Sequence, residues 1–294
     1  MLELRDPIGR TAGQSEDEAE VGVGIDGVGS AGPSSPMSAI LLAVTAAAAG
    51  VFAGLFLSYR RRLYVVLGRD LGFPIPTAEL RDFDARFAPG PFGVSLAAEV
   101  AILPELGKVI GGVNTREMWV LAVFARGARR LFEFGTATGR TTYLWARNSP
   151  ADAVVGTLTL GPGETPASEP GKGDSLTATR TALDETRFTS FVYSGTDVEP
   201  KVRQYLGDSK RFDESEWVGR CDVVFVDGSH AFSYVQSDSE KAMRMVRPGG
   251  VVLWHDYRGP RICGDVYRYL NGLSASRSLV RLAGTRIVAW RAPL

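Results

Sequence analysis

Four ionisable side chains in the second half of this chain follow directly on apolar, β-branched runs. Asp227 and His230 come after the run CDVVFV, and His255 and Asp256 come after the run VVLW. Two carboxylates and an imidazole suit a divalent cation such as Mg²⁺ or Mn²⁺, with Asp227, His255 and Asp256 as its ligands. A histidine that titrates near neutrality suits proton transfer, so His230 is a candidate general base. The candidate catalytic residues are therefore His230, Asp227 and His255.

The elements that position these side chains are predicted to be parallel strands buried on both faces. Neighbouring strands of such a sheet end about 5 Å apart at the same edge, so Asp227, His255 and Asp256 converge there. In the alternative interpretation, Asp227 caps the following helix, His255 and Asp256 only line a pocket, and His230 makes a hydrogen bond at a helix N-terminus. The sequence alone leaves both interpretations open.

Further apolar runs predict an α/β fold. Five strands that alternate with helices, followed by a hairpin around Ala283–Thr285, predict seven strands in a mostly parallel sheet. The predicted strands are Leu131–Phe134, Val154–Leu160, Lys201–Leu206, Cys221–Val226 and Val251–Trp254, and the predicted helices are Ala97–Ile110, Thr115–Ala128, Arg140–Arg147 and Ala231–Val246.

A glycine-rich turn, Gly135–Gly139, follows the first of these strands and precedes a predicted helix. Glycine lets the backbone approach a ligand closely, and the N-terminus of a helix offers free N–H groups to an anion. Many α/β proteins have such a turn for packing alone. The turn by itself therefore predicts either an anion site or a packing contact.

Four motifs together resemble a known family. They are EFGTATGRTT, EPKVRQYLGDS, DVVFVDGSHAFSYVQSD and RPGGVVLWHDY. In their order and spacing, the segment from Thr115 to Trp290 resembles the class I S-adenosylmethionine-dependent methyltransferases. More narrowly, it is similar to the bacterial family related to metal-assisted small-molecule O-methyltransferases. The resemblance implies the Rossmann-like fold, a seven-stranded, mostly parallel sheet with an antiparallel last strand, and S-adenosylmethionine as cofactor.

The resemblance also implies roles for individual residues. Gly135 and Gly139 would shape the turn beneath the methionine part of the cofactor, and Glu133 would receive its amino group. Asp208 and Ser209 match a turn that borders the adenine, although Asp208 also suits a turn cap. The implied cofactor-binding residues are Glu133, Gly135, Thr136, Gly139, Asp208 and Ser209.

One position departs from the family pattern. The second strand should end in an acidic residue that binds both ribose hydroxyls, but this chain has Thr159 and Gly161 where relatives often have Asp-x-Pro. A threonine hydroxyl does not match a carboxylate as an acceptor of two hydroxyl protons. Either Glu164 takes this role, or the ribose is held more weakly.

The N-terminal part is predicted to contain a membrane anchor. Residues 39–57 carry no charge and are followed by Arg60–Arg62, which predicts a transmembrane helix over residues 37–58 with the rest of the chain in the cytoplasm. The protein is then a single-pass protein of the inner, cytoplasmic membrane. The alternative is a buried, alanine-rich helix. Gly50 and Gly54 have the GxxxG spacing that lets two such helices pack, which leaves a homodimer open.

The composition excludes some functions. Lys and Arg together number 33, as do Asp and Glu, so the net charge of zero gives no reason to expect nucleic acid as a partner. Two cysteines make no disulfide framework, and without a CxxC pair zinc ligation by cysteine is not expected.

These observations predict four segments and one function. A disordered segment (1–36), the transmembrane helix (37–58) and a linker with helices (59–114) precede a methyltransferase domain (115–294). The predicted function is a membrane-anchored methyltransferase that O-methylates a small-molecule or glycan-precursor hydroxyl, with or without a metal. The alternatives are a non-catalytic scaffold and a hydroxylase-like protein on the same fold.

Overall fold

The computed structural model describes residues 36–67, 72–93, 95–103, 112–162, 164, 171, 174 and 188–294. The chain divides into two compact units, residues 1–57 and 58–294. Helix α1, Pro36–Leu67, begins in the first unit and ends in the second. Residues 1–35, most of the segment predicted to be disordered, lie outside the described residues.

The predicted transmembrane helix is wrong. Helix α1 covers residues 37–58, but no helix among the described residues is long and apolar enough to cross a membrane. The middle of the run consists of Ala46–Ala49 with Gly50 and Gly54, whose small side chains contribute little apolar surface. The membrane contact predicted through residues 39–57 had the same basis and is not supported either.

The second unit is built on one eight-stranded sheet with the order β1-β7-β8-β6-β5-β2-β3-β4. Strands β2 to β6 run parallel to one another, and β8 lies between β6 and β7 and is antiparallel to both. This confirms the Rossmann-like α/β sheet. The strands are β1 Thr77–Ala78, β2 Arg130–Phe134, β3 Val154–Thr159, β4 Val202–Leu206, β5 Cys221–Val226, β6 Val246–Trp254, β7 Val280–Leu282 and β8 Val288–Arg291.

The prediction of seven strands missed β1. This strand has two residues and pairs parallel with β7 at the edge of the sheet, with Thr77 opposite Arg281. A strand this short shows no alternation in the sequence, and its partner lies about 200 residues further along the chain.

Helices cover both faces of the sheet. Besides α1 they are α2 Leu80–Phe83, α3 Thr115–Ala125, α4 Arg140–Asn148, α5 Phe232–Met245 and α6 Gly264–Leu273. The predicted helix Ala97–Ile110 is wrong where the structure describes it, because only a 3₁₀ turn, Leu96–Ala98, forms and residues 99–103 are not helical. Proline at position 104 disfavours helix at the residue before it. Residues 104–110 lie outside the described residues.

Alternation along the strands divides the core in two. On β5, Val223 and Phe225 belong to the core that includes α3 and α4, whereas Val224 and Val226 belong to the core that includes α5 and α6. Because successive side chains of a strand point to opposite faces, Asp227 directly after β5 falls on the α3 side. The same alternation on β6 puts His255 on that side.

Candidate active site

The register of two parallel strands brings Asp227 and His255 together. Val226 of β5 lies opposite Trp254 of β6, so the next residue of each strand is a neighbour of the other. Nδ1 of His255 lies 2.9 Å from Oδ1 of Asp227. Burial raises the pKa of Asp227, while the charge and hydrogen bond of His255 act against that rise. The predicted convergence of these two strand ends is therefore present.

The other ring nitrogen of His255 contacts a carboxylate from α3. Nε2 lies 3.3 Å from Oε2 of Glu117. Burial alone would lower the pKa of His255, but the carboxylates of Asp227, Asp256 and Glu117 outweigh it and raise that pKa well above its usual value. The ring is therefore an imidazolium that donates both N–H groups. An imidazolium has no lone pair to accept a proton, so His255 positions Asp227 and is not a base in this state.

Glu117 is held in place from two sides. It forms a capping box with Asn114 at the start of α3, and its side chain is fully buried. The backbone N–H and Nε of Arg286 donate to Oε1 at 2.8 and 2.9 Å, and Nη2 donates to Oε2 at 2.5 Å. Despite burial, these bonds from Arg286, with that of His255, hold the pKa of Glu117 far below its usual value.

Sequence reasoning missed Glu117 and Arg286. The spacing of Asn114 and Glu117 is a sequence signal for the start of a helix, but not for a contact with a strand end. Arg286 gives no signal, since it is one arginine after the hairpin turn. Together we call Asp227, His255, Asp256, His230, Glu117 and Arg286 the carboxylate–histidine cluster.

Asp256 pairs with His230, and its backbone is strained. Oδ2 lies 2.9 Å from Nε2 of His230. The φ angle of Asp256 is +55°, which few residues other than glycine adopt. Despite burial, hydrogen bonds with His230 and His255 lower the pKa of Asp256 strongly, so it is a carboxylate. The side chain of His230 is 24% exposed, which makes it more accessible than His255 at 4%.

The three predicted metal ligands lie close enough to share an ion. Each of Asp227, His255 and Asp256 offers a ligand atom, and these atoms lie within 4.8 Å of one another. Oδ1 of Asp256 is buried without a hydrogen-bond partner among the described residues. Glu117 holds the far ring nitrogen of His255, as carboxylates do for histidines that bind metals. The set fits a divalent cation only when the His255 ring is neutral and turns the lone pair of Nδ1 to the ion, in place of the N–H that it donates to Asp227. Metal binding stays a prediction.

The glycine turn, Gly135–Gly139, has conformations that only small residues adopt without strain. Gly135 has φ of +102°, and a Cβ built there would lie 2.1 Å from the backbone oxygen of Asp227. Gly139 has φ of +78°, and its Cβ would lie 2.8 Å from the ring of Tyr193. The close approach at Gly135 is thus to the end of β5. Gly139 precedes α4 and brings no side chain to cap it, so the first N–H groups of α4 suit an anion.

Glu133 is buried beneath this turn. Its Oε2 accepts hydrogen bonds from Thr142 of α4 at 2.5 Å and from Thr157 of β3 at 3.0 Å. Thr136, buried as well, lies 2.8 Å from the hydroxyl of Thr157. Burial raises the pKa of Glu133 to about 8, and the charge of Asp227 adds to this. Glu133 is therefore protonated at neutral pH, and its contact with the cofactor's amino group stays a prediction.

Asp208 and Ser209 follow β4, two strands from β2 along the sheet. Asp208 accepts a hydrogen bond from the backbone of Lys210 at 2.9 Å and from the hydroxyl of Tyr234 at 3.0 Å. It thereby caps the 3₁₀ turn that begins at Ser209, which is the structural alternative considered above. Contact with adenine stays a prediction for both residues.

The end of β3 does not supply a carboxylate to the edge of the sheet. Strand β3 ends at Thr159, one residue before the predicted end at Leu160. The exposed Glu164 accepts a hydrogen bond from the backbone N–H of Gly161 at 3.1 Å. One oxygen of this carboxylate therefore already has a partner in the structure, and the carboxylate keeps further acceptor capacity for ribose hydroxyls.

One family model matches the middle of this chain. Residues 132–257 match the model of a family described as a methyltransferase domain. A search of curated proteins finds no significant match. Among solved structures, the O-methyltransferase TomG from Streptomyces achromogenes, in complex with S-adenosylmethionine, is 20% identical, with 62% of this chain and 82% of that chain covered at a TM-score of 0.42.

Two other solved structures are similar at the same level. The O-methyltransferase from Bacillus cereus, in complex with S-adenosylhomocysteine, is 20% identical, with 62% and 84% of the two chains covered and a TM-score of 0.42. Cofactor-bound Rv0187 from MTB is 19% identical, with 72% and 97% covered and a TM-score of 0.43.

The family match covers β2 to β6 and therefore the glycine turn and most of the carboxylate–histidine cluster. This part of the chain is a methyltransferase domain with the class I fold. The protein is an S-adenosylmethionine-dependent methyltransferase, as its motifs predicted. The scaffold and hydroxylase-like alternatives are not supported.

Proposed function

We propose that this methyltransferase transfers the methyl group to a hydroxyl of a small molecule, with His230 as general base. The observation that carries the proposal is the pair of His230 and Asp256 at 2.9 Å, just beyond the strand ends where ligands of parallel sheets bind. Transfer to oxygen requires removal of the hydroxyl proton. A partly exposed histidine held by a buried carboxylate suits that task.

S-adenosylmethionine, when bound, supplies the methyl group as an electrophilic sulfonium. The glycine turn would leave room for the methionine part of this cofactor, and the first N–H groups of α4 would donate hydrogen bonds to its carboxylate. In the neutral His230 ring that donates Nε2–H to Asp256, the lone pair is on Nδ1. Nδ1 would accept the proton of the acceptor hydroxyl, and the Asp256 carboxylate would stabilise the resulting imidazolium.

The rest of the cluster holds this pair in position. His255 lies between Asp227 and Glu117 and is also 3.6 Å from Oδ2 of Asp256. Arg286 lies 3.8 Å from Oδ1 of Asp256 and balances part of the negative charge. Glu117, His255 and Asp256 are buried, and the side chains of Asp227 and Arg286 beside them are 13% and 27% exposed, so three carboxylates and two cations balance part of one another's charge here.

A divalent cation is consistent with the same residues. Asp227, His255 and Asp256 would hold it, and a bound cation would lower the pKa of an acceptor hydroxyl by Lewis-acid polarisation. The prediction of a glycan-precursor acceptor rested on a membrane anchor, and it loses its basis with that anchor. A small-molecule hydroxyl is the substrate class that we propose.

The test measures cofactor binding and methyl transfer separately in the full-length chain. Titration calorimetry with S-adenosylhomocysteine reports binding, and transfer of a radioactive methyl group to a panel of phenols, catechols and sugars reports activity. We expect His230→Gln to leave the affinity within about twofold and to lower the rate by about 10²-fold or more at pH 7. The loss shrinks at high pH, where the acceptor ionises without help.

Gln236→Ala, on the exposed side of α5, is the control and keeps the wild-type rate. A His230→Gln enzyme with the wild-type rate and pH profile would exclude His230 as the base. Transfer to amines but to no hydroxyl would refute O-methylation. If S-adenosylhomocysteine gives no binding heat, the glycine turn and the start of α4 do not bind the cofactor.

A further inference from the structure

A second group of metal-binding side chains lies next to the proposed catalytic pair. His230, Asp256 and Cys263 each offer a ligand atom, and these atoms lie within 4.8 Å of one another. Cys263 is a free, buried cysteine directly before α6. This group shares Asp256 with the set of Asp227 and His255, but it contains sulfur where that set has a second carboxylate.

We propose that His230, Asp256 and Cys263 form a binding site for a soft divalent cation such as Zn²⁺, and that a cation bound there inhibits methyl transfer. The inhibition rests on the proposed function of His230, whereas the binding does not. Thiolate and imidazole ligands favour Zn²⁺, while an oxygen-rich set suits Mg²⁺ or Mn²⁺. The two groups thus select different ions.

Geometry and charge both suit this site. A tetrahedral Zn²⁺ places its ligand atoms about 3.4–3.6 Å apart. Nε2 of His230 and Oδ2 of Asp256 are 2.9 Å apart, and no two of the three ligand atoms are more than 4.8 Å apart, so shifts of roughly 1 Å bring them to this spacing. Oδ1 of Asp256 is buried without a hydrogen-bond partner among the described residues, and Asp256 as a whole is 8% exposed. A dication with one thiolate, one carboxylate and a neutral imidazole has no net charge, which favours burial. Water takes the fourth position.

Proton balance explains the inhibition. Binding replaces the thiol proton of Cys263, which leaves to solvent, and the metal takes the place of the proton on Nε2 of His230. The ring then keeps its single proton on Nδ1. With Nε2 bound to metal and Nδ1 protonated, His230 has no lone pair for the hydroxyl proton. The same cation also occupies Asp256, which the catalytic pair needs.

Cobalt titration of the full-length protein tests the site without any assay of activity. Co²⁺ takes tetrahedral zinc sites, and a bond to thiolate gives a near-ultraviolet charge-transfer absorption that oxygen and nitrogen ligands do not give. We expect this absorption to saturate at one equivalent under a non-thiol reductant and to disappear on addition of Zn²⁺. Excess Mg²⁺ leaves it in place, because Mg²⁺ does not compete for thiolate.

The chain offers a matched control cysteine. Cys221 is also free and buried, but it begins β5 and therefore lies at the opposite end of the parallel strands. We expect Cys263→Ser to abolish the charge-transfer absorption and Cys221→Ser to keep it. Should Cys263→Ser not fold, Cys263→Ala takes its place. Cobalt bound to the wild type without thiolate absorption, or absorption that persists without Cys263, would overturn the site.

A second arm measures inhibition. With an acceptor from the panel above, micromolar Zn²⁺ should slow the wild type. Cys263→Ser should need at least tenfold more Zn²⁺ for the same fractional loss, with each protein compared with its own rate without Zn²⁺. Equal sensitivity of the two proteins would overturn the inhibition. If no hydroxyl acceptor is found, the proposed function fails, and the cobalt absorption still decides whether the site exists.

Discussion

The glycine turn and the carboxylate–histidine cluster lie at one edge of the same sheet, yet they are stabilised in opposite ways. Each contains one non-glycine residue with positive φ, Ala137 at +44° and Asp256 at +55°, and the described chain has no other. Around Ala137 the partners are glycines, threonine hydroxyls and a protonated carboxyl. Around Asp256 they are ionised carboxylates, an imidazolium and guanidinium groups.

Because of this difference, the carboxyl ends of the parallel strands can serve two tasks. A neutral turn with little side-chain volume leaves backbone donors for a cofactor, whereas a charged cluster can hold or move a proton. The two regions meet at Gly135, whose missing side chain lets the turn lie against Asp227. Shape should therefore decide stability in the glycine turn, and charge should decide it in the cluster.

The largest effect should come from removing the contact that joins the two regions. In Gly135→Ala the new Cβ would overlap the backbone oxygen of Asp227, and neither backbone can move without breaking the sheet. We expect no folded protein, or a loss of at least about 5 kcal/mol in the free energy of unfolding. Denaturant titration of the purified chain measures it.

Gly195→Ala is the matched control. Gly195 also has positive φ, at +74°, but nothing lies within 4 Å of a Cβ built there. The free energy of unfolding should fall by only about 1–2 kcal/mol, which is the cost of placing a residue other than glycine at this positive φ. Similar losses for the two variants would mean that the contact with Asp227 does not matter.

The next effect tests charge in the cluster. Glu117→Gln keeps the shape of the side chain but leaves the buried charges of Arg286 and His255 without their common partner. We expect a loss of roughly 4 kcal/mol in the free energy of unfolding. Glu216→Gln, which breaks the half-exposed pair with Arg203, should lose less than about 1 kcal/mol. Equal losses would show that buried charge does not stabilise the cluster.

A third test uses pH to examine Glu133, the protonated carboxyl beneath the glycine turn. The pKa of Glu133 is about 8 in the folded protein and lies near 4.5 in the unfolded chain. Between these values the unfolded carboxyl ionises while the folded one stays protonated, so stability falls as pH rises. Glu133→Gln removes this fall.

We expect Glu133→Gln and wild type to differ little at pH 4, and the variant to be more stable by roughly 4 kcal/mol at pH 8. Denaturant unfolding of both proteins across this pH range gives the difference in their free energies of unfolding. The contributions of the other titrating groups cancel in this difference, because both proteins contain them. Two parallel curves would mean that Glu133 is ionised in the folded protein, and the contrast between the regions would then be wrong.

The smallest effect concerns one hydroxyl. Thr157→Val removes the donor to Glu133 and the partner of Thr136, without a change in size. We expect a loss of about 1–2 kcal/mol. In the Glu133→Gln background the loss should change by at least about 0.5 kcal/mol, because the two side chains are in contact. Strict additivity in the double-mutant cycle would argue against a working hydrogen bond between them.

Much of the fold followed from local pattern. Buried parallel strands are continuous apolar runs, so β2, β3, β4 and β5 were predicted within one or two residues at each end. The helix predicted from residue 97 and the two-residue strand β1 were not, because a proline and a distant partner decided them. The transmembrane helix failed for another reason, since a run without charges need not be apolar enough to cross a bilayer.

The sequence by itself determined which side chains end the strands. Asp227 and His255 follow their strands directly, and parallel register makes such positions neighbours. Only the tertiary structure decided what surrounds them. Glu117 comes from 138 residues before His255, and Arg286 binds Glu117 across 169 residues. The contact of Cys263 with His230 and Asp256 likewise depends on how α6 packs, because no spacing of residues along a chain encodes where a loop returns to a sheet.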